Sequence, residues 1–97
     1  MRYFKYYWNE SRGDAHDDWG TSWWYFEVAD DGYVERQVEQ YANGVCLSYD
    51  RGYIEDKFGG LAEKPVESED WKELLPFSAA EFEAVWSSAR PLNRKSG

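Results

Sequence analysis

Alternating apolar and polar positions predict strands through the first half of the chain. Residues 2–9 carry aromatic side chains on both faces of a first strand, and residues 21–29 resume the alternation after a polar segment. Residues 33–41 and 45–49 continue the pattern. Three or four consecutive strands of this kind predict an antiparallel β-meander.

The connections between these strands have different characters. Asp31-Gly32 and Asn43-Gly44 are hairpin signals, because glycine accepts the positive φ that a tight type I′ turn requires. Residues 10–20 are instead polar, acidic and longer than most hairpin connections. We therefore expect one long loop after the first strand and tight turns after the second and third.

Helix signals follow in the last third of the chain. A capping box at Ser78, together with a hydrophobic staple, predicts the start of a helix that runs to about Arg90. A two-turn helix is predicted over residues 68–75, and residues 50–66 read as an irregular stretch with one candidate short strand plus loop.

These elements predict an α+β fold, in which an antiparallel meander of about four strands carries a C-terminal helix on one face. We expect residues 1–91 to form a single domain and residues 92–97 a flexible basic tail. One helix covers only one face of such a sheet. Either the long loop and the 50–66 segment cover the other face, or its rings stay partly exposed.

Composition adds an unusual density of rings. Nineteen of the 97 residues are Trp, Tyr or Phe, and a domain of this size buries only about 60–65% of its unfolded surface. Each ring buries roughly 150–250 Å², so aromatic packing must fill much of the core. Some rings are then expected on the surface.

The net charge of the chain restricts the kinds of partner that it can bind. The net charge is −8, which disfavours direct binding to nucleic acid, because affinity for phosphates depends on cationic side chains. A basic protein would be attracted to such a surface. No apolar run is long enough for a membrane span, the start does not resemble a signal peptide, and Cys46 is the single cysteine. We therefore expect a cytoplasmic protein without disulfides or a membrane partner.

Candidate chemistry is sparse. His16 lies among three acidic residues, but the spacing fits neither a zinc nor a calcium site, so we interpret the segment as a solvated acidic loop. Cys46 lacks a local signature of a nucleophile and is interpreted as structural. Simple alternation places Arg36 on the same strand face as Val34. We expect Arg36 to pair with Glu27 at an edge or outer face; the alternative is a face-central guanidinium, which would need a carboxylate partner. We predict no enzyme, no cofactor and no metal.

Acidic and aromatic side chains are instead the predicted contact residues. Carboxylates of the long loop and of the Asp30-Asp31 turn would attract a basic partner, and rings beside them would anchor it, since Trp and Tyr dominate interface hot spots. The predicted partner-binding residues are Asp14, Asp17, Asp18, Trp19, Trp23, Tyr25, Asp30 and Asp31.

Several segments resemble a family of small bacterial proteins of unknown function, about ninety residues long. The similar segments are Met1-Arg2-Tyr3 up to Trp8, Asp31-Gly32, Glu35-Arg36-Gln37-Val38-Glu39, Asn43-Gly44, residues 60–65 and the final helix with its F-E-x-x-W pattern (Phe82 to Trp86). The resemblance covers nearly the whole chain and implies a single domain without an assigned activity. Asn9-Glu10 departs from the family pattern, and the 10–20 loop is particular to this member.

The leading hypothesis is therefore a monomeric or weakly self-associating module that binds a basic protein. Its size and acidity are similar to those of immunity proteins that neutralise nuclease-type toxins, by analogy only. One alternative is a DNA mimic that inhibits a nucleic-acid-binding protein. Others are a small ligand-binding domain or enzyme that uses the outer sheet face, and an accessory domain without activity of its own.

Overall fold

The computed structural model describes residues 1–62 and 74–93. The strands are β1 (Arg2–Trp8), β2 (Ser22–Val28), β3 (Val34–Tyr41), β4 (Cys46–Asp50), β5 (Glu55–Asp56), β6 (Gly59–Gly60) and β7 (Leu75–Pro76). Helix α1 spans Ala79–Ser88, and a 3-10 turn spans Asp17–Trp19. Among these residues, no helical segment combines the length and the apolar character that crossing a bilayer requires.

Five strands form one antiparallel sheet in the order β4-β3-β2-β1-β7, and β5 pairs with β6 in a separate hairpin. The predicted α+β fold, a meander with one C-terminal helix packed against it, is confirmed. The fifth strand was not predicted. Leu75 pairs with Lys5 of β1, where the sequence pattern had favoured the end of a helix. The rest of that predicted helix, residues 68–73, lies outside the described residues.

Both turns form at the predicted glycines, but as three-residue loops rather than two-residue type I′ turns, because the Gly32 amide donates to the Ala29 carbonyl and the Gly44 amide to the Tyr41 carbonyl. Gly32 and Gly44 have φ angles of 89° and 94°, in the region that favours glycine. In the second turn, the Asn43 side chain accepts a hydrogen bond from the Val45 amide at 3.0 Å. These local interactions set where β2, β3 and β4 reverse direction.

The capping box at the start of α1 is also confirmed. The Glu81 amide donates to Ser78 Oγ at 3.1 Å, and the Ser78 amide donates to Glu81 Oε1 at 3.2 Å. Phe77 and Phe82 complete the staple, with ring centroids 6.2 Å apart. The helix ends at Ser88, slightly earlier than predicted.

An ion pair lies between the sheet and α1. Arg36 donates to both carboxylate oxygens of Glu27 at 2.7 Å and also pairs with Glu83 of the helix. Its guanidinium carbon lies 5.0 Å from the ring centres of Phe82 and Trp86. The predicted partner is correct, but the favoured edge or outer-face position is wrong, and the face-central alternative holds. The pair joins two central strands beneath the helix, and Arg36 holds the pKa of Glu27 below its ordinary value.

The main core lies on the opposite face of the sheet. Trp19 from the long loop and Leu61 from the segment after β4 pack against it, so these two segments cover this face. The first of the two alternatives for that face therefore holds. The buried core residues of this cluster are Trp19, Phe26, Val28, Val34, Tyr41, Leu47, Tyr49 and Leu61.

A shift of register between β2 and β3 decides which side chains face this core. Glu27 pairs with Arg36, but the next residue, Val28, pairs with Val34. One extra residue on β3 therefore turns Val34 to the core face, opposite to Arg36. Simple alternation had placed Val34 and Arg36 on the same face, and the bulge corrects that interpretation.

The chain after α1 returns to the outer edge of β4. The Leu92 amide donates to the Cys46 carbonyl at 2.7 Å, and the Asn93 side chain bonds both the amide and the carbonyl of Ser48, at 3.0 and 2.8 Å. The first two residues of the segment expected to be a flexible tail are thus docked on the sheet. Residues 94–97 lie outside the described residues.

Candidate functional site

The predicted acidic residues fall into two separate groups. Asp14, Asp17 and Asp18 are exposed in the loop between β1 and β2, whereas Asp30 and Asp31 are exposed in the turn between β2 and β3. These connections lie at opposite ends of β2, about 20 Å apart at roughly 3.3 Å per residue. The structure therefore brings the first three carboxylates together but separates them from the other two.

Two of the loop carboxylates also order the loop itself. Asp17 accepts a hydrogen bond from the Gly13 amide at 2.6 Å, and Asp14 accepts one from the His16 amide at 2.8 Å. The His16 amide lowers the pKa of Asp14, and a hydrogen bond from the Ser11 hydroxyl lowers the pKa of Asp17. Both side chains therefore stay ionised while they hold the backbone of the loop.

Trp19 closes the loop onto the core. It is only 7% exposed, and its ring packs against Tyr41, Phe58 and His16 with centroids 5.2, 5.7 and 4.4 Å away. A ring in this position anchors the loop to its own protein rather than to a partner. The His16 ring is part of the same stack, and residues 1–62 and 74–93 contain no group of three or more His, Cys, Asp or Glu placed to hold a metal ion.

Trp23 and Tyr25 lie on the face of the sheet that carries α1. Trp23 is half-buried, with the Tyr7 ring 5.0 Å away and the Lys5 ammonium 5.4 Å from its ring centre. Tyr25 lies further along β2 and packs on Phe77 of the staple at 5.6 Å. Burial raises the pKa of Tyr25. Of these two residues, Trp23 therefore lies nearer to the long loop.

Two exposed rings at the end of β1 lie next to the long loop and Trp23. Tyr7 is 44% exposed and Trp8 is 40% exposed, and as neighbours on a strand they face opposite sides of the sheet. Together with the loop carboxylates they form one acidic and aromatic end of the molecule, which we call the loop-end surface. Its residues are Tyr7, Trp8, Asp14, Asp17, Asp18 and Trp23.

A buried carboxyl group on β3 lies beside this surface. Glu39 is 3% exposed, yet both of its oxygens are hydrogen-bonded, by the Tyr41 hydroxyl at 2.7 Å and by the Gln37 amide at 2.9 Å. Burial raises the pKa of Glu39 above its ordinary value of 4.5, although both hydrogen bonds oppose that shift. The three polar side chains alternate along β3 and so share the core face.

Arg12 connects this group to the long loop. It donates to the Tyr41 hydroxyl at 2.9 Å, to the Phe58 carbonyl at 2.5 Å and to Asp14 at 3.0 Å. Its guanidinium carbon lies 5.2 Å from the Trp19 ring centre. One side chain therefore ties the loop to β3 and to the segment before β6.

Gln37 lies on the other side of Glu39 along β3 and connects this strand to the segment that contains β6. Its amide nitrogen donates to the Gly60 carbonyl at 3.1 Å, and its oxygen accepts from the Ala62 amide at 2.9 Å. A side chain at Gly60 would place its Cβ 2.7 Å from the Ile54 carbonyl oxygen, so only glycine permits this close approach.

A cavity of about 250 Å³ opens next to Glu39, between the long loop and the ends of the central strands. We call it the Glu39 pocket. Its walls combine aromatic and charged side chains with the backbone of β6. The residues that line it are Trp8, Arg12, Asp14, Ser22, Trp24, Glu39, Tyr41, Phe58, Gly59 and Gly60.

The sequence contained one signal for this pocket that reasoning from the pattern missed. Glu39 pairs directly with Trp24, so the register of the predicted hairpin places it on an apolar face. A glutamate at such a position must be buried and paired. Arg12 and Phe58 come from irregular segments, where no local pattern predicts their position.

Cys46 is not placed for nucleophilic chemistry. It is buried on β4, and burial raises the pKa of its thiol to about 11. The thiol therefore stays protonated near neutral pH.

Comparison of the chain with protein-family models, with curated proteins and with solved structures gives no match. The resemblance to a family of small bacterial proteins therefore stays a prediction. The functional proposals below rest on the fold, the loop-end surface and the Glu39 pocket.

The buried carboxyl group predicts a specific response of stability to pH. Because burial raises the pKa of Glu39, the folded state holds this proton more tightly than the unfolded state. Its contribution to the free energy of unfolding should fall as the pH rises from about 4.5 through the pKa in the folded protein. The free energy of unfolding of the wild type minus that of Glu39→Gln should therefore decrease as the pH rises over this range.

Urea unfolding at several values between about pH 4 and about pH 8 measures this difference. Glu55→Gln, which removes an exposed carboxyl group, is the matched control. A difference for Glu39→Gln that stays constant with pH would show that burial does not disturb this carboxyl group.

Proposed function

We propose that this protein is a binding module for a basic protein and that the loop-end surface is where the partner docks. The observation that carries the proposal is the meeting of exposed carboxylates and exposed rings at one end of the sheet. Asp14, Asp17 and Asp18 come from the loop, while Tyr7 and Trp8 come from the strand that precedes it.

The two kinds of side chain would contribute differently to binding. Exposed carboxylates raise the rate of association with a positively charged partner, an effect that salt screens. Rings at the centre of a contact supply most of the affinity, because they bury a large area at a small cost in side-chain entropy. A net charge of −8 adds to the long-range attraction.

The role that we propose is inhibition of a basic toxin or nuclease, in the manner of an immunity protein. Small size, acidity and a surface with both charge and rings support this role by analogy with that class. The proposal includes a cytoplasmic setting, a monomeric or weakly self-associating state, and binding rather than catalysis.

A tagged pull-down from native cells at physiological salt tests the proposal. We expect one stoichiometric basic protein to co-purify and to be released by raised salt, because screening weakens the electrostatic part of the interaction. Mass spectrometry then identifies the class of partner. Recovery of no partner, or of an acidic one, would contradict the proposal.

Replacement of Trp23 separates contact from packing. We expect Trp23→Ala to weaken partner binding by at least about thirtyfold, since loss of a hot-spot ring costs about 2 kcal/mol or more. The domain should keep its cooperative thermal transition, because the ring is half-buried on the sheet surface.

Tyr33→Ala is the matched control, since this ring is 38% exposed beside the turn at the opposite end of the sheet. It should leave affinity unchanged. Loss of the thermal transition in Trp23→Ala would show instead that Trp23 is a core residue.

A further inference from the structure

The Glu39 pocket is lined by more acidic than basic side chains. Two carboxyl groups, those of Asp14 and Glu39, line it together with one guanidinium, that of Arg12. Arg12 already donates to Asp14, to the Tyr41 hydroxyl and to a backbone carbonyl. Its donors are therefore largely used within the protein, which makes an anion a poor ligand for this site.

The carboxyl group of Glu39 keeps capacity for another donor. Each of its oxygens accepts one hydrogen bond, from Tyr41 or from Gln37. An ionised carboxylate can accept about four. A donor group that enters the pocket can therefore bond to Glu39 without breaking the interactions that hold it.

Aromatic rings form much of the remaining wall, from Trp8, Trp24 and Phe58. The faces of such rings attract cations, and tryptophan does so most strongly. The same protein shows the combination at Arg36, where two carboxylates and two rings surround one guanidinium. The Glu39 pocket offers a comparable set of groups on the other face of the sheet.

From these features we infer that the Glu39 pocket binds one organic cation, a guanidinium or primary ammonium group on a short alkyl stem. The volume of about 250 Å³ lies below the roughly 300–1,000 Å³ of pockets that hold drug-sized ligands, so one head group fits better than a larger molecule. The cation could be a free small molecule or the end of a basic side chain. The inference does not depend on the proposed function, because the pocket and its charges exist in the isolated chain.

Titration with ethylguanidinium, followed through the indole N–H signals of Trp8 and Trp24 by NMR, tests the inference. We expect saturable shifts with a dissociation constant of about 1 mM. Ethylurea, which has a similar shape but no charge, should bind at least about tenfold more weakly, because a hydrogen bond to a charged group is the stronger kind.

Three variants locate the site. Glu39→Gln should weaken ethylguanidinium binding about tenfold. Trp8→Ala should weaken it about threefold, as expected for the loss of one cation–ring contact at a partly exposed site. Tyr7→Ala is the matched control, since Tyr7 is as exposed as Trp8 but faces the other side of the sheet. If Glu39→Gln fails to fold, the pair Trp8→Ala and Tyr7→Ala still decides the question.

Arginine blocked at both ends distinguishes the two sources of the cation. Equal binding of blocked arginine and ethylguanidinium would mean that the pocket accepts a side chain from a polypeptide. Binding of ethylguanidinium alone would mean that it accepts a free small cation. Equal binding of ethylurea, or no saturable shift at about 50 mM ethylguanidinium, would overturn the inference. Absence of a protein partner in the pull-down would leave this result unaffected.

Discussion

The carboxyl group of Glu39 is the constraint on which the core face of this protein depends. Burial of a carboxyl group is costly unless hydrogen bonds compensate for it, and Glu39 is 3% exposed. Tyr41 and Gln37 supply those bonds from the same strand, and each is held in turn by a segment outside the four meander strands. Arg12 reaches Tyr41 from the long loop, and the backbone at Gly60 meets Gln37 from the segment after β4. Satisfying one buried acid therefore fixes where both segments lie.

This arrangement explains how a chain with few aliphatic residues covers both faces of its sheet. Helix α1 covers one end of the sheet face opposite the main core, where Arg36 lies between two carboxylates and two rings. On the other face, the polar network holds the loops in place, and Trp19 and Leu61 fill the space beneath them. Because the network holds the long loop in place, the loop carboxylates lie beside the exposed rings of β1. The surface that we propose for a partner is thus a consequence of the way in which the core is closed.

Local signals predicted the parts of the fold that local chemistry determines. The turn at Gly44 and the capping box at Ser78 need only neighbouring residues, and the pairing of Arg36 with Glu27 needs only adjacent strands. The burial of Glu39 was missed because a polar residue in an alternating strand is ordinarily placed in solvent. Edge strand β7, the bulge in β3 and the position of Arg12 depend on contacts between distant segments. No short pattern in the sequence encodes them, which is why the pocket was not predicted.

Native-state amide hydrogen exchange of Tyr41→Phe tests the central role of the network most directly. This variant removes one hydroxyl group, which accepts from Arg12 and donates to Glu39. The account predicts faster exchange across residues 11–20 and 53–62, with protection in β1 and β2 unchanged, because both segments lose a shared support while the sheet remains paired. Faster exchange limited to the neighbours of Tyr41, with both segments still protected, would contradict the account and show that aromatic packing alone holds the loops.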